Sequence, residues 1–114
     1  MGLESDGSIS LSKGVGRPVF RQKVRAEVIA ELSSVDYVFK IRKVYGFKSS
    51  SVESYFDGLL RDIHPDVLIT HISKDTSLKP KMELTEKHGI RLLLCRENPL
   101  TASTEIVEKI KRLD

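Results

Sequence analysis

The chain has 114 residues, 39% of them apolar and 31% charged, with a formal net charge of +3 and a pI near 9.1. That is the size of one domain with a modest core and the composition of an ordinary soluble globular protein, which excludes a disordered or fibrous chain. The mild basicity suits an anionic ligand such as a nucleotide or phosphate ester, but it is too small and too evenly spread to argue for nucleic acid.

Cys95 is the only cysteine, which excludes an intramolecular disulfide and a zinc site built on thiolates. Its place in the apolar run "IRLLLC" predicts a small buried hydrophobe. No stretch approaches bilayer-spanning length, and the start lacks the basic-then-apolar order of a signal peptide. The expectation is a cytoplasmic chain with no membrane partner.

The opening "MGLESDGSISLS" fits either a frayed terminus or the end of a strand followed by a short helical turn. From Pro18 the pattern predicts a helix. Proline suits a first turn, and Phe20, Val24, Val28 and Leu32 recur at helical spacing, opposite Arg21, Lys23, Arg25, Glu27 and Glu31. "DYVFKI" reads as a strand. Ser49, Ser50 or Ser51 is placed to cap the next helix, which runs to about Ile63 and buries Val52, Tyr55 or Phe56, Leu59, Leu60 and Ile63.

"HPD" breaks that helix, and "DVLIT" predicts a short strand buried on both faces. "KPKMELTEKHG" is a shorter helix ended by Gly89, and "IRLLLC" a second buried strand. "TASTEIVEKIKRL" is an amphipathic helix turning Ile106, Val107, Ile110 and Leu113 inward. Strands alternating with helices, the later strands continuous and apolar, predict right-handed βαβ units. The expected fold is α/β, a Rossmann-like open parallel sheet with helices on both faces, and ligands belong outside the carboxyl ends of its strands.

Two stretches carry candidate chemistry. In "SKGVGRP", glycines permit close backbone approach while Lys13 and Arg17 can meet phosphate oxygens. The same residues also describe a mobile basic connection, and the loop matches neither a Walker loop nor the dinucleotide fingerprint. After "IRLLLC", Arg96 stands at a strand end, with Thr101, Ser103 and Thr104 at a helix start. Free N–H groups, the helix dipole and hydroxyls suit a phosphate there. Plain capping by Thr101 or Ser103, with Glu105 completing a capping box, uses the same residues, so both readings stay open. His64 and His88 read as dipole partners at helix ends, and His71, near Lys74 and Asp75, as a polar loop residue. No catalytic triad, paired-histidine metal spacing or carboxylate dyad follows from the spacing.

Taken in order, "GLESDGSISLSKGVGRPVFRQKVRAEVIAELSSVDYVF", the Pro65-Asp66-Val67-Leu68 run and "TASTEIVEKI" after Arg96 resemble the cytidylyltransferase-like nucleotidyltransferases. The resemblance is greatest to the adenylyltransferases of heptose 1-phosphate and the cytidylyltransferases of glycerol phosphate and ethanolamine phosphate. It implies transfer of CMP or AMP from CTP or ATP, with Mg2+, to a small phosphorylated sugar or alcohol and release of pyrophosphate. It places Lys13, Arg17, Arg96, Thr101, Ser103 and Thr104 on the nucleotide phosphates and Ser5 and Asp6 on the acceptor side.

The family's HxGH motif occurs nowhere in the sequence, and Thr70, His71, Ile72 and Ser73 stand where the family has Lys-Gly-Gly-Asp. The resemblance therefore covers the C-terminal two-thirds of such a domain, lacking its first strand–helix unit. The chain alone is expected to be weakly active or inactive. Its implied partners are a homo-oligomer mate or a chain supplying the N-terminal part. The alternative is a non-catalytic nucleotide- or protein-binding module of the same fold.

Overall fold

In the computed structural model, which describes residues 1–46, 50–72, 75, 77–97 and 102–113, the chain groups into two units, Met1–Ile63 and His64–Asp114. The first opens with strand β1 (Gly2–Leu3), paired in parallel with β2 (Phe39–Lys40), Gly2 opposite Phe39 and Leu3 opposite Lys40. Phe39 N–H donates to the Met1 carbonyl at 3.0 Å and Ile41 N–H to that of Leu3 at 2.8 Å. The opening is thus a strand end followed by a helix, while "DYVFKI" contributes only two residues of strand.

Helix α1 (Asp6–Lys13) starts where the chain must leave the strand. Ser5, extended at the N-cap, accepts the Ser8 N–H at 3.2 Å. The Ser5 and Ser8 hydroxyls lie 2.9 Å apart, and both reach the Lys43 carbonyl, at 3.2 and 3.3 Å. The Ser8 oxygen also accepts the Tyr45 N–H at 3.0 Å. A Cβ on Gly7 would sit 2.9 Å from both methyls of Val44, so α1 can approach this segment only with glycine there. Leu3, Ile41, Tyr45 and Leu60 are the buried apolar residues of the unit. Leu60 belongs to α3 (Ser50–Ile63), whose Phe56 ring meets Tyr45 edge-on at 5.6 Å. Ile63, expected inside, is exposed.

Helix α2 (Gln22–Ala30) corrects two expectations. It begins at Gln22 rather than at Pro18, which follows a cis bond in the loop before it. The helix has no acceptor at its own N-cap, Arg21; the Asp6 carboxylate reaches across to accept the Gln22 N–H at 2.7 Å and so fixes where the helix starts. The inward face also differs. Gln22, Arg25, Ala26 and Ile29 are half-buried, whereas Phe20, Val24, Val28 and Leu32 face solvent. The polar face supplies donors to the carbonyls at and just beyond the ends of the short strands, that of Leu3 taking one in addition to the Ile41 N–H. Gln22 Nε2 donates to the Leu3 and Ile41 carbonyls at 2.9 and 3.0 Å, and Arg25 Nη2 to that of Glu4 at 2.8 Å.

The second unit holds β3 (Val67–His71) and β4 (Arg91–Cys95), parallel along their whole length, with α4 (Leu78–His88) between them in sequence. Gly89, left-handed at φ 66°, ends α4 where the sequence places the stop. The two strands were expected to be buried on both faces, but only one face is covered. Leu68, Thr70, Leu92 and Leu94 share it, and with Met82, Thr85, Glu86 and Ile90 of the α4 side the two β4 leucines line an open apolar depression. Val67, Ile69, Leu93 and Cys95 fall on the other face and are exposed, so Cys95 is not the buried hydrophobe expected of it.

Helix α5 (Ser103–Arg112) has no buried residue. Val107 is half-buried, and Ile106, Ile110 and Leu113, expected inside, are exposed. Among the described residues the strands therefore form two parallel pairs, β1 with β2 and β3 with β4, within an α/β chain.

Ser8, fully buried, is the joint of the first unit. Ser8→Ala strands the Tyr45 N–H and should cost about 2 kcal/mol. Urea unfolding checks this, and a midpoint unchanged from the parent would contradict it.

Candidate functional site

The turn Glu4–Asp6 gathers polar groups from three directions. Asp6 Oδ1 takes both the Gln22 N–H and, at 2.8 Å, Arg25 Nη2. Arg25 also donates through Nε to the Phe20 carbonyl at 3.0 Å, which orients its guanidinium against the turn. Glu4 Oε1 accepts the Tyr45 hydroxyl at 3.3 Å. Burial and then the neighbouring Glu4 charge push that phenol well above its ordinary pKa, so it stays protonated and donates. Ser5 and Asp6, expected on an acceptor's side, thus sit together here with their hydroxyl and Oδ1 engaged inside the protein.

The loop that follows is open. Lys13 closes the last turn of α1 and is exposed; Arg17 is half-buried. Gly14 and Gly16, at φ 90° and 81°, have nothing within 4 Å of where a Cβ would be. Glycine is needed there for the backbone turn, not for crowding. The Arg17 N–H closes the turn on the Gly14 carbonyl at 3.3 Å.

In the second unit, Arg96 lies just past β4 and is exposed, as are Ser103 and Thr104 at the start of α5. Thr101 and Lys74, and the capping candidate Ser49, lie outside the described residues. The N-cap of α5 is Ala102, not Ser103, and it offers no side-chain acceptor. The Ala102 carbonyl accepts the Glu105 and Ile106 N–H groups, at 3.0 and 3.3 Å.

A polar cluster stands at the carboxyl end of β3. Asp75 Oδ2 accepts from the Thr70 hydroxyl and forms an ion pair with Lys81 Nζ, while its Oδ1 accepts the Ser77 N–H at 2.8 Å. Lys81 Nζ also lies 3.5 Å from the Thr70 hydroxyl. Burial pushes the Asp75 carboxyl up, but donors from Lys81, Thr70 and Ser77 outweigh it and hold the group below its usual range. Beside the cluster, His71 Nε2 contacts the Glu97 carbonyl at 2.7 Å, and the Ile72 N–H donates to that of Cys95 at 2.9 Å.

Sequence reasoning gave Gln22 and Lys81 no role, placed Arg25 only on the charged face of its helix, and met Thr70 only as a departure from the family's Lys-Gly-Gly-Asp. The one local signal is a lysine six residues after Asp75, across a helix start. Among the described residues no three His, Cys, Asp or Glu side chains converge on a point that could hold a metal ion. Magnesium carried by a nucleoside triphosphate keeps its waters and phosphate oxygens and needs no such cage. No described helix is long and apolar enough to cross a membrane.

No family model matches the chain. It is related over nearly its whole length to proteins named bifunctional protein HldE. It is 28% identical over 113 residues to that of Desulfatibacillum aliphaticivorans, covering 96% of this chain and 20% of the relative. It is 31% identical over 114 residues to that of Pseudomonas aeruginosa, covering 98% and 22%. To that of Azotobacter vinelandii it is 32% identical over 112 residues, covering 96% and 21%. The chain thus spans about a fifth of the length of these relatives.

Asp75 gives a pH signature. Its folded-state pKa is depressed, so the stability it contributes is present above the unfolded carboxylate value and is lost as pH falls through the lower folded value. Asp75→Asn should cost about 2 kcal/mol at neutral pH. The gap to the parent protein should close in acid below the ordinary carboxylate range. Urea unfolding at neutral pH and in acid reads this out, and a pH-independent gap would contradict it.

Proposed function

We propose that the chain is part of a nucleotidyltransferase-type domain. That domain transfers CMP or AMP from CTP or ATP to a small phosphorylated sugar or alcohol. An acceptor phosphate oxygen attacks the α-phosphorus, the bond to the bridging oxygen breaks, and pyrophosphate leaves. The observation that carries the reading is the match to HldE across 96–98% of the chain, a span that takes in nearly all of the stretch from "ESD" to "TASTEIVEKI". The relatives' name, bifunctional protein, agrees with a segment of about a fifth of their length belonging to one of two activities.

The reading assigns Lys13 and Arg17 to phosphates of the nucleotide, as exposed or half-buried cations on a turn whose glycines leave room for a ligand. Arg96, Thr101, Ser103 and Thr104 serve the triphosphate at the start of α5. Ser5 and Asp6 serve the acceptor side through the turn they build. Magnesium bound to the triphosphate spreads the charge that develops on the attacked phosphate. The reading also carries the Rossmann-like open sheet expected from the sequence. The second reading is a non-catalytic nucleotide-binding module of the same fold. The engagement of the Ser5 hydroxyl and Asp6 Oδ1 inside the protein favours it.

Calorimetric titration of the chain with CTP and with ATP, each with magnesium, tests the proposal. Binding of one nucleotide is expected, weakened roughly 10- to 100-fold by Arg17→Ala and by Arg96→Ala. Absence of binding to either, or binding indifferent to both substitutions, overturns it. Binding without pyrophosphate release on addition of a phosphorylated acceptor selects the module only when a segment carrying the family's HxGH motif has been joined ahead of the chain, because the chain alone is expected to turn over little in either case.

A further inference from the structure

Arg25 divides its guanidinium among three oxygens from two segments of the first unit. Nη2 donates to the Glu4 carbonyl and to Asp6 Oδ1, both at 2.8 Å, and Nε donates to the Phe20 carbonyl at 3.0 Å. Glu4 and Asp6 belong to the turn after β1. Phe20 is the last residue of the loop that carries Lys13 and Arg17, just ahead of Arg21, the N-cap of α2.

Packing does little to hold that loop. Val15, Val19 and Phe20 are exposed, and the space beside Gly14 and Gly16 is empty. Its start is fixed by the Gly14 N–H on the Ser10 carbonyl at 2.9 Å, and its turn by the Arg17 N–H on the Gly14 carbonyl. Its far end is tied to the "ESD" turn by Arg25, whose own side chain is only 20% exposed, alongside the Gln22 N–H bond that sets the start of α2. Arginine suits this task and lysine does not. Nε and Nη2 lie in one rigid plane and serve both segments at once, whereas an ammonium is a single point on a flexible stem that keeps Asp6 only by leaving Phe20.

We propose that Arg25 is a positioning residue that holds the basic loop in register with the turn at Glu4–Asp6. It touches neither nucleotide nor acceptor. In the nucleotidyltransferase reading the loop meets the nucleotide phosphates and the turn the acceptor, and a group passing between them needs the two at a fixed separation. The inference rests on that reading for what the loop and the turn bind, but not for the hold of Arg25 on them.

Urea unfolding, calorimetric titration with magnesium and CTP or ATP, and NMR backbone order parameters of the loop, all on the full chain, test it together. Arg25→Ala lowers stability and affinity alike, as the loss of any structural residue would. Arg25→Lys separates the roles. Through its pairing with Asp6 it should recover most of the stability lost in Arg25→Ala, yet bind nucleotide roughly tenfold more weakly than the parent. Without nucleotide, the order parameters of Arg17, Val19 and Phe20 should fall while those of β3 keep the parent's values. Lysine that restores affinity along with stability, or a loop as ordered as the parent's, overturns the proposal. A parent chain that binds neither nucleotide sinks the nucleotidyltransferase reading instead; the order parameters are read without ligand, so a fall still supports the hold of Arg25 and an unchanged loop still overturns it. Should Arg25→Lys fail to fold, Arg25→Gln, which keeps one donor group without the charge, takes its place under the same outcomes.

Discussion

Asp6 Oδ1 accepts one bond from the Gln22 backbone and one from the Arg25 guanidinium, and both donors belong to a helix that cannot cap itself. Through that single oxygen the turn after β1 decides where α2 begins and which way it faces. Once Arg25 is held there, its other bonds reach the Glu4 and Phe20 carbonyls, and Gln22 meets the ends of both strands. Strands of two residues have almost no ladder of their own. Beyond the bonds that Met1 and Leu3 accept from Phe39 and Ile41, the carbonyls at their ends are met by the polar face the helix turns inward, and an unpaired buried carbonyl is costly enough to outweigh covering a few valines.

The second unit uses the same device with the roles exchanged. Asp75 gathers a hydroxyl, an ammonium and a backbone N–H where β3 gives way to α4. In the first unit the carboxylate is the first residue of a helix, in the second it stands three residues before one, and each orders its strand-to-helix connection. Loops beyond carboxyl strand ends are where α/β proteins place ligands. Rigid connections there are a prerequisite for holding a phosphate in one place, whatever the phosphate belongs to.

What could be read from the sequence was whatever depends on neighbours in the chain. The Gly89 stop and the extent of α4 and β4 follow from capping chemistry and local pattern, whereas the opening left a frayed terminus and a strand end with a helical turn both open. What could not be read depends on partners distant in sequence. Pro18 is a good first-turn residue, yet Asp6 moved the start to Gln22. The four-residue spacing pairs Val24 with Val28 on one face of α2 while Phe20 and Leu32 fall outside the helix, and periodicity cannot say whether that face is covered. The apolar runs of β3 and β4 alternate once their register is fixed, and Cys95 lands on the open side for that reason alone. Lys81 carries no signal of its own in the helix pattern, because the Asp75 that holds it lies ahead of the helix.

The candidate site divides along the same line. Ser5 and Asp6 are engaged by groups inside the protein, whereas Lys13, Arg96, Ser103 and Thr104 are exposed. A phosphate is recognised by donors that are not already committed, and the exposed residues answer that description. Within the first unit the turn around Asp6 precedes the loop that carries Lys13 and Arg17, and its acidic oxygen would repel an anion brought against it. The proposed division of labour therefore assigns anion recognition to the basic loop and the last helix. To the "ESD" turn it leaves the fixing of geometry and contact with the uncharged part of an acceptor. Gly14 and Gly16 fit this arrangement, because a turn with open space around it lets the backbone itself come within reach of a phosphate.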